Sequence, residues 1–110
     1  MQISDNKTLG GGGHKRPKRD TINRRTVSFI ENKLKTSPQD LKPQDRQNIV
    51  YVLYSRFEYT VREIMDVIPI SKATMYRDIE RVIFLKKRST RLQKELDRIW
   101  QYIIYIDRYI

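Results

Sequence analysis

The chain has no cysteine, so disulfides and thiolate metal sites are excluded as sources of stability or chemistry. It has one histidine, His14, placed beside Gly10-Gly11-Gly12-Gly13, so no imidazole triad or metal cluster can be assembled. That glycine run is not a nucleotide loop, because no Lys-Ser/Thr follows at the required spacing and no strand precedes it. No apolar stretch approaches bilayer length and no secretory leader is visible. A cytoplasmic, nucleoid-associated location is therefore expected, with no membrane partner. Few β-branched alternations and no hairpin turn signal exclude a sheet. The carboxylates beyond residue 26 are scattered among basic residues, as on solvated helix faces. Catalytic residues, metal ligands and cofactors are all expected to be none, and the chain is not read as an enzyme.

Positive charge is what the chain has in excess. Its formal net charge is +10 over 110 residues, which points to a polyanionic partner, nucleic acid before an anionic membrane surface. Only 38% of residues are apolar, so the core is modest and one domain is expected. Residues 1–20 are polar and aperiodic and read as a disordered Gly-rich arm. The basic segment His14-Lys15-Arg16-Pro17-Lys18-Arg19 ends it. Lys15, Arg16, Lys18 and Arg19 are its candidate phosphate contacts.

A helical bundle is expected over 21–84. Its first helix, about 21–36, carries Val27, Ile30 and Leu34 and is stopped by Ser37-Pro38. Pro43 suits the first turn of a second helix, about 43–58, where Ile49, Leu53 and Phe57 share a face, with Val50 and Tyr54 beside it. Residues 60–83 then read as a helix-turn-helix, the device that places its second helix in the DNA major groove. Thr60 and Glu63 form a capping box. Val61, Ile64, Met65 and Ile68 give an apolar face, and Pro69 forces a turn. Ser71 is a good N-cap for the second helix, and Met75, Ile79 and Val82 give that helix one buried side.

The other side of helix 71–83 carries Lys72, Ala73, Tyr76 and Arg77, residue types that contact base edges. Arg77 can donate two hydrogen bonds to a guanine. Tyr76 can pack on a sugar or thymine methyl. Ser71, Thr74 and Arg62, with Lys86 and Lys87 past the reading face, are the candidate phosphate contacts. Asp78 and Glu80 repel phosphate and are read as orienting Arg77 or Arg81, or as solvated ion pairs.

The tail from 85 to 110 carries a heptad pattern. Leu85, Leu92, Ile99 and Ile106 lie seven apart, and Val82, Ser89, Leu96, Ile103 and Ile110 fill the partner positions. A continuous helix from Val82 would run ~43 Å at ~1.5 Å per residue. It predicts a long coiled-coil-like helix that oligomerises through Leu85, Leu92, Leu96, Ile99, Ile103 and Ile106. The other reading is a helix folded back on its own core. Whether Lys87-Arg88-Ser89-Thr90 is a hinge, with Ser89 capping a new helix, is open. Trp100, Tyr102, Tyr105 and Tyr109 make the tail apolar on more than one face, a candidate surface for a partner helix.

Residues 41–88 resemble the helix-turn-helix of sigma-factor region four. The likeness runs through Leu41, Arg46, Ile49 and Tyr54, then Tyr59-Thr60, Arg62-Glu63-Ile64, and Ile70-Ser71-Lys72-Ala73-Thr74-Met75-Tyr76-Arg77. Phage late-gene regulators of the RinA and ArpU type use a similar sigma-like module. The chain departs from the pattern at Met65, where a small residue is usual, and at Pro69, where glycine supplies a positive φ. The resemblance implies a phage or mobile-element transcription regulator with a recognition helix at 71–83, acting on double-stranded DNA; the expected protein partner is RNA polymerase or a terminase or transposase subunit. A helix-turn-helix followed by an oligomerising helix also looks like a phage small terminase subunit, or a transposition protein that binds element ends. The expected class is thus an all-α helix-turn-helix bundle with a long C-terminal helix. Its expected activity is sequence-specific duplex binding as a homo-oligomer. A helical protein-interaction module with no DNA site is the reading of a different class.

Overall fold

The computed structural model describes residues 18–105. The arm residues Lys15 and Arg16, and Ile106 at the end of the tail, lie outside them. Within them the chain is all-helical: α1 (Arg19–Asn32), a single 3-10 turn (Pro38–Asp40), α2 (Pro43–Arg56), α3 (Val61–Val67), α4 (Lys72–Lys86) and α5 (Thr90–Tyr105).

The centre is α2. Ile49, Val50, Tyr51, Val52 and Leu53 are consecutive and all buried, so the helix is apolar around its circumference and needs neighbours on every side. It has them, packing against α3, α4 and α5. Pro43 occupies its first turn and Arg56 its last, in keeping with the free N–H groups at one end and the helix dipole at the other. Its exit is a left-handed residue, Glu58 at φ 57°, after which the Tyr59 N–H donates to the Leu53 carbonyl at 3.0 Å. The end of α1 repeats the device: Lys35 has φ 57°, and the Thr36 N–H donates to the Ile30 carbonyl at 3.3 Å.

The first helix starts at Arg19, two residues inside the expected arm, and ends earlier than the expected 36. Ile22, Thr26, Phe29 and Ile30 are its buried residues, while Val27 and Leu34 pack half-buried at the edge of the core.

The expected continuous tail helix is absent. The helix that begins at Lys72 ends at Lys86, and a new one begins at Thr90. Side chains seal the corner. Ser89 Oγ accepts from the Leu92 N–H at 3.1 Å, an N-cap. Gln93 Nε2 donates to the Lys86 carbonyl at 2.6 Å and Arg88 to the Phe84 carbonyl at 3.2 Å, satisfying acceptors that a helix end leaves open. The 16-residue α5 then folds back on α1 and α2.

The residues expected to form an intermolecular seam are therefore divided. Leu96, Ile99 and Ile103 are at most 4% exposed, inside the chain's own core. Leu92 is half-buried against that core and Leu85 is half-buried on α4. Burying each large aliphatic contributes about 1.5–3 kcal/mol to the fold, so Leu96, Ile99 and Ile103 serve the core of their own chain. Two members of the aromatic patch are likewise engaged: Tyr102 meets Phe29 edge-on at 5.2 Å, and Trp100 packs half-buried against the core beneath the Arg56 guanidinium at 4.6 Å; Tyr109 lies outside the described residues. Arg56 also pairs with Asp97 at 2.8 Å. From α1, Arg25 donates to the Ile103 and Ile104 carbonyls at 3.0 and 2.6 Å, closing the C-terminal end of α5.

Candidate nucleic-acid interface

The unit α2–α3–α4 presents α4 outward. The entrance to α3 carries the expected capping box: the Glu63 N–H donates to Thr60 Oγ1 at 3.2 Å, and the Thr60 N–H donates to Glu63 Oε1 at 2.8 Å. That backbone hydrogen bond, more than the nearby Arg19, holds the Glu63 carboxyl below its ordinary range. The connection to α4 is four residues long, Ile68 to Ser71, and closes with the Ile70 N–H on the Ile68 carbonyl at 2.8 Å. The non-glycine residues with positive φ among the described residues are Lys35 and Glu58. The turn therefore uses no left-handed position, which is how Pro69 is accommodated where glycine is usual. Met65, the other departure from pattern, is not wedged between the helices. It is 41% exposed.

The α4 helix starts with Ser71, whose Oγ accepts from the Thr74 N–H at 3.2 Å and donates to Thr74 Oγ1 at 3.0 Å. Both hydroxyls proposed for phosphate are thus engaged in the cap itself. Met75, Asp78, Ile79 and Val82 form its buried side. Three of these are the expected apolar positions. Asp78 is the correction: it neither repels phosphate nor orients Arg77 or Arg81. It is 3% exposed and accepts two hydrogen bonds from Arg46 of α2, at 2.8 and 3.0 Å. This fork sets the angle of α4 on α2. Asp78 in turn pushes the Arg46 pKa up, through the hydrogen bond first, against the opposing effect of burial.

The four candidate base-reading residues, Lys72, Ala73, Tyr76 and Arg77, are all exposed and contiguous around the helix. Tyr76 is half exposed, and with Lys72 it faces Arg62, Met65 and Asp66 across a cleft of about 710 Å³ between α3 and α4. Arg62, Lys72, Arg77, Arg81 and Lys87 form no ion pair among the described residues. An exposed cation without a carboxylate partner is free to meet phosphate or a base edge.

Other candidate phosphate contacts are already engaged. Arg19 pairs with Glu63 at 2.9 Å, donates to the Phe57 carbonyl at 2.8 Å, and lies 4.3 Å over the Tyr59 ring. It ties α1 to the α2–α3 connection. Lys86 lies 5.6 Å over the Tyr51 ring. Lys18 is the exposed residue preceding α1. Two apolar residues of the outward face were not foreseen: Ile83 is 37% exposed and Phe84 56%, with the Arg88 guanidinium 4.0 Å over the Phe84 ring. Counting positions from the buried stripe of α4 would have found Phe84, which lies about 180° from Met75 at ~100° per residue; Ile83 lies only about 40° from Ile79 and the count would have put it at the edge of the stripe. The heptad count skipped both.

Among the described residues no helix is long and apolar enough to cross a membrane. Comparison with protein-family models, characterised proteins and solved structures finds no match.

Proposed function

We propose that this chain is a sequence-specific double-stranded DNA-binding protein that reads a major-groove half-site with α4. The observation that carries the reading is the outer face of a doubly capped α3–α4 pair. Lys72, Ala73, Tyr76 and Arg77 stand there exposed, Lys72 and Arg77 without ion-pair partners among the described residues. Arg77 is the residue for a guanine edge, Tyr76 for a sugar or thymine methyl, and Lys72 and Arg62 for the flanking phosphates. The net charge of +10 supplies the non-specific attraction on which such readers rely. The sigma-like character of the module favours use as a transcription regulator of the phage or mobile-element kind, with RNA polymerase as its protein partner. No catalytic group or cofactor is assigned.

A packaging or transposition assembly is the alternative DNA-binding reading, and the burial of Leu96, Ile99 and Ile103 in the chain's own core favours the regulator over it. A protein-docking role is the second reading, and Phe84 and Ile83, exposed on the same helix, favour it.

Selection from random duplexes at near-physiological salt, followed by footprinting, tests the first reading. A discrete enriched site is expected. Arg77→Ala should cost about 1–3 kcal/mol and relax one base position. Uniform weakening on every sequence would remove Arg77 from base reading, and no enrichment would leave the docking role.

A further inference from the structure

A second cleft lies on a different flank of α4. Arg81 is five residues beyond Tyr76, about 140° further round the helix, and it points away from the α3 groove toward the start of α2. There the first turn of α2, the last turns of α4 and the first turn of α5 border a half-open cleft of about 440 Å³, a volume within the range of small-molecule sites. Val82, Leu85 and Leu92 give it an apolar floor. Polar groups surround that floor: the amides of Gln44, Gln47 and Asn48, the guanidinium of Arg81 and the hydroxyl of Ser89.

Asn48 is the informative member. It is 6% exposed, lines the cleft, and its side chain makes no hydrogen bond to any described residue. Nearly all buried amides in folded proteins have a partner, so this one faces a space that a ligand can fill.

The charge around the cleft selects the ligand's sign. Arg81 forms no ion pair among the described residues, and no carboxylate lines the walls. The nearby carboxylate of Asp78 is neutralised by Arg46. The N-terminus of the 14-residue α2 opens at the same place, and Lys42 before it provides no side-chain cap; Pro43 has no N–H and Asp45 lies in the first turn, so the remaining first-turn N–H groups add a positive potential that Asp45 partly offsets. A guanidinium fork, a helix N-terminus and a buried amide suit an oxyanion head, and the apolar floor suits a short hydrocarbon or ring behind it.

We propose that this cleft binds a small organic oxyanion, seated on Arg81 and the N-terminus of α2 and hydrogen-bonded by Asn48. A free molecule fits better than a DNA phosphate. Asn48 lies beneath the surface, deeper than a duplex backbone resting on the outward face of α4 reaches. A ligand here touches α2, α4 and α5 together, and so bears on the corner at Lys87–Ser89 that joins α4 to the core helix α5.

The test is titration of the ¹⁵N-labelled full chain with phenyl phosphate at fixed ionic strength, with phenol as the neutral control. The side-chain amide signals of Asn48 and Gln47 should shift saturably with phenyl phosphate and not with phenol. Arg81→Gln, at an exposed position that leaves the core intact, should weaken binding at least tenfold. The isosteric Asn48→Asp should abolish it. Shifts that fail to saturate, or that are the same in Arg81→Gln, overturn the site. Displacement of phenyl phosphate by an added duplex overturns its assignment to a free anion. The signal at Asn48 does not depend on duplex binding, so failure here and failure of the DNA reading are separately visible.

Discussion

Removing Asp78 from beneath α4 should be among the most damaging single changes in this chain. Its carboxylate is 3% exposed and takes two hydrogen bonds from Arg46. Breaking a buried ion pair by deleting one partner costs roughly 3–5 kcal/mol, because the remaining charge is left uncompensated. The figure here should be lower, since the Arg46 side chain is 22% exposed and can turn partly to water. About 2–3 kcal/mol is expected for Asp78→Ala, which in a domain of this size lowers Tm by roughly 10–20 °C. Urea unfolding followed by circular dichroism reads it directly: the midpoint should fall with the slope unchanged. The double variant Arg46→Met/Asp78→Leu should recover much of the loss, since well-packed apolar replacements of buried pairs are often neutral. A loss below about 0.5 kcal/mol for Asp78→Ala, or a double variant no better than the single, would refute the claim that this fork fixes α4 on α2.

Three further outcomes follow from the packing and the backbone. Leu96→Ala should destabilise by about 2–5 kcal/mol, with a thermal midpoint independent of protein concentration; a concentration-dependent midpoint would return Leu96 to an intermolecular seam. Burial, partly opposed by the Arg19 charge, raises the Tyr59 pKa from 10.0 to about 12. The folded state thus holds this proton more tightly, so its stabilisation is complete below pH 10 and is lost as pH rises through about 12; a Tyr59→Phe variant should lack that alkaline step in a pH series of melts. Lys35 sits at φ 57°, where a side chain costs roughly 1 kcal/mol relative to glycine, so Lys35→Gly should raise the melting temperature; a fall would place a needed contact on the lysine side chain.

Much of the local structure was legible because it is written in short-range chemistry. The Thr60–Glu63 capping box, the Ser71 cap, the proline start of α2 and the buried stripe Met75, Ile79, Val82 each depend on residues within a turn or two of one another. The exposure of Lys72, Ala73, Tyr76 and Arg77 follows from that stripe by helical geometry. Where the tail helix breaks and what it packs on were not legible, for a physical reason. A 4–3 apolar spacing is the same whether a helix packs on another copy or on its own core, and nothing in residues 92–103 distinguishes the two. Ser89 was the one polar residue in the pattern, and it is the residue that ends it, capping α5 rather than interrupting a seam.

The sequence by itself determined that the chain is helical, strongly cationic, and built around a capped helix pair with a basic outer face, since charge, caps and apolar period are properties of neighbouring residues. Only the tertiary structure decided which polar groups are free. It took Arg19 onto Glu63 and Tyr59, paired Asp78 with Arg46, and left Arg77, Arg81 and the Asn48 amide without partners among the described residues. Those pairings join residues 32 to 44 positions apart in the chain, and such contacts exist only once the helices have packed.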